Sequence, residues 1–486
     1  MKRILTTTIT LLCFLSTFAQ GADDAYLFSQ TFYQGTAKAL GMGNALGAVG
    51  GDMTAVSINP AGMGIYRSNE FSSTLSLMDN YQYSTYYGTG NGANKIRLSI
   101  PNLDYVSTRQ RSNYRKLRFT QFGIGLTRTN DYNNCTFAKG INPTSSKIDD
   151  YLYQMDGYSQ YDLQGAFPFT IFPAWSTHLV DLYEDSQGLY YSSPVPQGNI
   201  WQSQKNDFKG RSEEWTFAGS ANFAERLFLG ISANLVHVKR YGTKLFQESR
   251  VEGTDTGFDQ WSFTEDISST GWGGNIKVGF IYHATPWLRF GGAFHSPTIY
   301  SFSESWQTST ESEINMITRK YISPESHYEY TFIRPLKWVG SMAFVIGRQG
   351  IVSLDAEYTN FGAARFKAAV EDDYDYSPTN ETIKNTYART LNLRLGSEWR
   401  LRGTYLRLGA GYYGSPFGFG ETGGSVKKAS CGISVPVSES TTFDFAYELS
   451  HGKTYIFIYD AGDLGIEPIT QNQFKHLLVT TLKVRF

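Results

Sequence analysis

From Ser68 to the last residue the chain repeats one pattern, in which apolar and polar residues alternate over segments of about ten residues or more. The tail shows it plainly. Leu478, Thr480, Leu482, Val484 and Phe486 make one largely apolar face, while Thr481, Lys483 and Arg485 lie on the other. Such period-2 alternation marks a strand whose two faces meet unlike surroundings. The design recurs where Trp338, Met342, Phe344 and Ile346 alternate with Lys337, Ser341 and Ala343. It recurs again where Leu391, Leu393, Leu395 and Trp399 alternate with Asn392, Arg394, Glu398 and Arg400.

Strands of soluble sandwiches usually run about 5 or 6 residues. These are longer, as a tilted bilayer crossing demands. Short turns near 225–226, 285–286, 348–349, 402–403 and 438–439 alternate with long connections over about 242–270, 304–326, 367–383, 416–425 and 460–471. Fourteen strands are expected, at about 68–80, 94–107, 116–130, 213–224, 227–240, 271–284, 287–303, 327–346, 351–366, 385–400, 404–415, 426–437, 441–458 and 472–486. An even count brings both ends to one side, and a closed barrel leaves no unpaired edge in lipid. The expected fold is all-β, a 14-stranded antiparallel transmembrane β-barrel over residues 67–486. Composition agrees with it. The chain holds 33 Tyr, 33 Phe, 9 Trp and 48 Gly, yet beyond its first residues no apolar run approaches the roughly 20 residues of a spanning helix.

The front of the chain differs. Lys2 and Arg3 precede an apolar stretch from Ile4 to Phe18, and Thr17-Phe18-Ala19 supplies small residues for a cut, so residues 1–20 read as an export signal. Leu12 is too bulky for Cys13 to serve as a lipid-anchored cysteine. Between Ala39 and Met63 lies a run of small residues with Gly41, Gly43, Gly47, Gly50 and Gly51, closed by Asn59, Pro60, Ala61 and Gly62. Glycine permits positive φ and close approach of backbones. Leu40, Met42, Leu46, Val49, Met53, Val56 and Ile58 make the run too apolar for a linker, and its glycine spacing is wrong for a phosphate loop. Residues 21–66 therefore read as a compact segment packed inside the barrel.

Two departures from the alternation stand out. Ile96, Leu98 and Ile100 give way after Pro101 to Leu103 and Tyr105, and Leu117 and Phe119 give way to Phe122, Ile124 and Leu126. A switch of parity implies an extra residue, placing bulges at Pro101 and near Thr120 and Gln121 in neighbouring strands, where the wall between them is expected to part. The second departure is the long segment at about 131–212, too long for a plain loop. It holds Phe167, Phe169, Ile171, Phe172 and Trp175, then Leu179, Val180 and Leu182, with helical spacing from Ala174 to Tyr183. Apolar residues there need the barrel mouth or a greasy ligand to cover them.

Catalytic constellations are not apparent. The seven histidines have no metal-binding spacing, so neither metal nor cofactor is expected, and a hydrolase built on His283 or His295 with Ser296 lacks an activating arrangement. A net charge of −1 gives no reason to expect nucleic acid. Cys135 and Cys431 imply no disulfide framework. Inward charges such as Asp355, Glu357, Arg394, Glu398, Arg407, Asp444 and Glu448 are expected to pair with one another across adjacent strands. Arg334 and Lys337, beside Pro335, are the candidates to hold a ligand carboxylate.

On these residues the mature chain resembles the FadL-type outer-membrane transporters of long-chain fatty acids and hydrocarbons. The match is carried by Gly41-Met42-Gly43-Asn44-Ala45, by Asp52-x-x-Ala55-Val56, by Asn59-Pro60-Ala61-Gly62-Met63, by Ile333-Arg334-Pro335, by Ser353 to Tyr358, and by the terminal Phe486. The resemblance implies a monomer in the outer membrane of a Gram-negative bacterium, with both termini periplasmic and lipid and lipopolysaccharide around it. It implies an N-terminal hatch involving Gly41, Gly43, Asp52, Asn59, Pro60, Ala61 and Gly62, a loop-borne hydrophobic groove, a deeper pocket, and a kink in the third strand opening sideways. Phe486 would be the signal read by the barrel-assembly machinery. The implied activity is passive uptake of a hydrophobic small molecule, against two rivals: an adhesive or structural barrel, and a general porin with an open bore.

Overall fold

The computed structural model describes residues 21–111, 116–186, 188–253, 257–369, 374–417, 423–459 and 465–486, so the expected export signal lies outside the described residues. Fourteen antiparallel strands close into one barrel. The first half comprises β1 Glu70–Tyr86, β2 Thr89–Gln110, β3 Leu117–Asp131 carried on by Asn134–Asn142, β4 Ile200–Phe223, β5 Leu227–Arg250, β6 Phe258–His283, and β7 in two pieces, Leu288–His295 and Thr298–Ile314. The second half begins with β8, in three pieces, Ile317–Ile322, Ser326–Arg334 and Lys337–Ile346. It continues with β9 Gly350–Asn360 with Arg365–Ala368, β10 Arg389–Leu401, β11 Thr404–Tyr413, β12 Val426–Pro436, β13 Thr441–Ile456 and β14 Ile469–Arg485. β14 returns to β1 in an unbroken register from Glu70↔Arg485 to Thr85↔Thr470, which closes the cylinder.

Alternation sorts the side chains as expected. Along β10, Leu391, Leu393 and Leu395 point outward, 49, 40 and 50% exposed, while Asn392 and Arg394 are buried in the bore. The inward charges pair across strands: Arg394 with Glu357 (3.1 Å), Arg407 with Glu398 (2.6 Å) and Asp444 (3.2 Å), and Lys428 with Glu448 (2.8 Å). Greasy outside and ion-paired inside is the pattern of a barrel set in lipid.

Three expectations need correction. Residues 242–270 and 304–326 are largely strand and not loop: β5 runs to Arg250, β6 begins at Phe258, and β7 meets β8 at Asn315 and Met316. β4, β5 and β6 are 24, 24 and 26 residues long, more than twice the ~9–11 that cross a bilayer, so their far ends stand clear of it. Likewise β1 and β2 continue to a two-residue turn at Tyr87 and Gly88, whose φ of 42° and 74° suit a tight hairpin. The alternation persists through polar sequence there, and polarity had suggested loops.

The helix expected over Ala174–Tyr183 is displaced. It spans Ile171–Ser176, with Pro173 in the first turn, where no backbone donor is needed. Thr177 ends it by donating its hydroxyl to the Pro173 carbonyl (2.9 Å), and His178 follows at φ 58°. Asp181–Asp185 then pairs with Gly188–Ser192 as a hairpin.

Candidate functional site: a filled bore and a break in its wall

The N-terminal segment lies within the barrel. It forms the helices Ala22–Ser29, Ala37–Gly41 and Met53–Ile58 and the 3-10 turn Pro60–Ile65. Its apolar side chains reach the wall on several sides: Leu40 against Met78, Leu477 and Val479, Met53 and Met63 against Val106 and Ala218, and Ala61 against Phe228 and Ile281. Close approach explains the glycines. A Cβ on Gly41 would lie 3.2 Å from the Gly432 Cα, and Gly43, at φ +60°, would place one 3.0 Å from the Ala410 nitrogen.

Polar anchors fix this segment. Asp52 caps Met53–Ile58 by accepting from the Thr54 nitrogen (3.0 Å), and it also accepts from the Thr36 hydroxyl (2.6 Å) and the Lys483 ammonium (3.0 Å). Lys483 in turn meets Asp444 at 3.0 Å, which joins the segment to the ion pairs of the wall. The Asn59 amide donates to the Gly47 carbonyl (2.7 Å) and to the Phe280 carbonyl of β6 (3.0 Å), while its oxygen accepts from Ala61 (3.1 Å) at the start of the Pro60 turn. Gly47 donates to Asp355 at 2.9 Å, and His295 contacts the Ile58 carbonyl at 2.8 Å. Most of these contacts are buried, so losing one leaves an unsatisfied group.

Toward the loop end the helix Ala22–Ser29 enters an aromatic chamber. Phe28 stacks on Phe302 (4.7 Å between centroids) and meets Tyr132 and Phe332, and Tyr26 packs on Phe361 (5.1 Å) and Tyr387 (5.5 Å). Tyr300, Tyr330, Phe366 and Tyr376 complete the cluster. Beside Tyr26 a cavity of about 20 Å³ remains, room for roughly one water. Sequence reasoning missed this chamber, although its signal was present: in β7 the inward positions Tyr300 and Phe302 are aromatic where other strands carry charges. Arg334 and Lys337 border the region, on either side of the break in β8. Lys337 is engaged by Thr31 (2.7 Å) and Glu357 (3.6 Å). Arg334 donates to Thr298 (2.7 Å) and makes no ion pair among the described residues.

The wall itself is interrupted. β1 and β2 pair normally up to Thr74↔Asn102 and resume at Ser76↔Ser99, so Ile100 and Pro101 oppose Leu75 alone, a bulge at Pro101. Beyond that point β2 and β3 are no longer hydrogen-bonded: their ladder runs from Gln110↔Phe119 to Asn102↔Thr127 and stops. From Thr127 to Asn133 every residue of β3 is buried, because the strand turns inward; Arg128 and Asn130 flank a register shift against β4. The N-terminal segment meets β3 at this place, Phe32 donating to the Thr129 carbonyl (2.7 Å) and Gln34 to that of Arg128 (2.9 Å). Side chains bridge the gap: Lys95 to Asp207 and the Phe208 carbonyl, and Arg128 to the Ser99 hydroxyl (2.6 Å). Thr120 and Gln121 lie elsewhere. Both sit in continuous ladders with β2 and β4, and the nearby irregularity falls at Arg118, between the pairs of Leu117 and Phe119. Gln121 instead donates to the carbonyl of Tyr66 (3.1 Å) at the end of the N-terminal segment.

Over the loop end the long segment packs on the strand extensions. Phe167, Ile171 and Leu179 are interior to a core with Ile148, Tyr151, Phe246, Trp261 and Phe263. Phe172 and Trp175 are half-buried at its edge, against Tyr321 and Tyr191, while half-buried Phe169 packs on Trp306 in a separate cluster with Phe208 and Ile267. Lys147 lies under the Phe263 ring at 4.6 Å, and burial there lowers its pKa. Glu248 fastens the segment, accepting from Ser146 (2.6 Å), the Lys147 nitrogen (2.9 Å), Gln202 (2.7 Å) and Trp261 (2.6 Å).

A closed fourteen-stranded cylinder with an apolar exterior, a bore filled from its own N-terminus and a parted pair of strands defines a transmembrane β-barrel plugged by its own chain. Its fold is similar to that of FadL-type barrels. The chain superposes on the Ralstonia pickettii toluene transporter TbuX with a TM-score of 0.52 at 14% identity, over 95% of this chain and 100% of that one. It superposes on a Pseudomonas aeruginosa FadL homologue at 0.59 and 11% identity, over 94% and 99%. For the P. putida toluene transporter TodX the values are 0.52 and 12%, over 94% and 99%. At these identities the likeness is one of fold. No family profile matches the chain, and no curated protein matches it by sequence.

Proposed function

We propose that the protein carries hydrophobic small molecules, fatty acids or hydrocarbons, passively across an outer membrane and releases them sideways through its wall. A greasy solute crosses a bilayer core readily; its barrier is the polar, saccharide-coated outer leaflet. Half-buried Phe169, Phe172 and Trp175 offer a first contact at the loop end, where burying apolar area is worth about 25 cal/mol per Å². The aromatic chamber holding Phe28 is the next station, with Arg334 poised for a carboxylate. The break between β2 and β3 is the exit.

The observation that carries this reading is the end of the β2–β3 ladder at Asn102↔Thr127, where the N-terminal segment pairs with β3. A shift of that segment would act on the strand that borders the gap. Gly41, Gly43, Asp52, Asn59, Pro60, Ala61 and Gly62 then serve as the hinges and anchors of a hatch. In this orientation both termini face the periplasm, the barrel works as a monomer among lipid and lipopolysaccharide, and exposed Phe486 is the assembly signal. TbuX and TodX, named as toluene transporters, support the class of cargo. Cells with this protein as their sole barrel of the type should take up radiolabelled toluene or oleate several-fold faster than cells without it. Equal rates for both solutes would contradict the proposal.

A further inference from the structure

At the short-turn end, beneath the N-terminal segment, lies a cavity of about 560 Å³ lined by six cationic and two acidic residues. Its size falls in the range of ligand pockets, about 300–1,000 Å³. Both acids already hold an arginine, and Glu398 also offsets part of the Lys38 charge. Glu70 pairs with Arg485 at 2.8 Å and Glu398 with Arg407 at 2.6 Å, while Arg67 is taken by Glu225. Lys38, Arg289, Arg348 and Arg400 remain around the cavity, and none of them makes an ion pair among the described residues. Among the described residues the Lys38 ammonium donates to the Gly51 carbonyl, at 3.2 Å.

Four like charges facing one space repel one another, and low-dielectric walls focus the field they make. Guanidinium groups present donors in a planar fork that fits carboxylate and phosphate oxygens. Val49, Ile65, Val345 and Ile351 line the same cavity, so a bare inorganic ion would leave apolar wall uncovered.

We propose that this vestibule binds an organic oxyanion, a carboxylate or phosphate on a small apolar body. The site lies below the segment that fills the bore, away from the break between β2 and β3, and stands independently of the transport reading. The anion could be a free solute or the head of an anionic lipid, and the same donors would hold either.

Titration calorimetry on the full-length protein in non-ionic detergent tests this, with phenyl phosphate, benzoate and phosphatidylglycerol micelles as probes. Saturable binding is expected, weakening as salt rises and at least tenfold weaker in Arg348→Gln/Arg400→Gln, whose side chains are exposed and leave the barrel ladders untouched. Lys38→Gln, a change in the N-terminal segment above the cavity, should weaken it as well. Binding of the soluble probes assigns a free solute, and binding of the micelles alone assigns a lipid head. No saturable binding of any probe, or wild-type affinity in both variants, would overturn the proposal.

Discussion

Asp52 ties three parts of the protein at once: it caps a helix, accepts from Thr36 and meets Lys483 of β14. Removing a capping side chain costs about 1 kcal/mol and a bond to a charged group about 1.5–3 kcal/mol. Lys483 keeps Asp444, so the loss is partial. Asp52→Ala should therefore speed amide exchange across Met53–Ile58 by at least tenfold with the barrel strands still protected; unchanged exchange would show that the cap is not what holds the segment. Residues of this kind were legible because Asp52, Asn59 and the glycines sit in a stretch unlike the rest of the chain. Thr120 and Gln121 were not. Alternation reveals that a residue is extra between Phe119 and Phe122 but cannot say which one the ladder rejects, and the ladder skips Arg118.

At the scale of elements, the parted wall depends on β2 and β3. Pro101 was readable as a bulge because the outward apolar positions change parity across it. The inward turn of β3 at Arg128 was hidden, since Thr127 to Asn133 are polar and look like the start of a loop. Their partners lie in β4 and in the N-terminal segment, far away in sequence. Across the gap the Lys95–Asp207 pair acts as a clasp. It is partly exposed, which limits its worth to about 0.5–1 kcal/mol. Lys95→Met should raise uptake of a hydrophobic solute about two- to fivefold in whole cells, and slower uptake would contradict the clasp. The long segment depends on Glu248 in a comparable way. Glu248→Ala leaves the Ser146 hydroxyl, the Lys147 nitrogen and the Trp261 indole without their acceptor, while Gln202 keeps Ser145 and Tyr459. Limited proteolysis between residues 143 and 199 should then accelerate while the barrel resists; equal cleavage would mean the apolar core around Ile171 suffices.

For the whole molecule, strand count, closure and the inside-out distribution of polar groups followed from the period-2 pattern alone. The height of the barrel did not, because strands that leave the membrane at β4 to β6 lose the apolar contrast that marks them. The filled bore argues against a general porin: Leu40, Met53 and Ala61 occupy it from several sides. Deleting Ala39 to Met63 should raise ion conductance in planar bilayers, and a deletion that conducts no more than the full chain would remove the cork from the account. The central claim, sideways release, is tested most directly by fastening the wall. With Cys135 and Cys431, both free thiols, changed to Ser, Lys95→Cys and Asp207→Cys can be joined by a cleavable thiol cross-linker. Uptake of labelled toluene or oleate should fall to background on cross-linking and return on reduction; uptake that continues with the wall fastened would place the exit elsewhere.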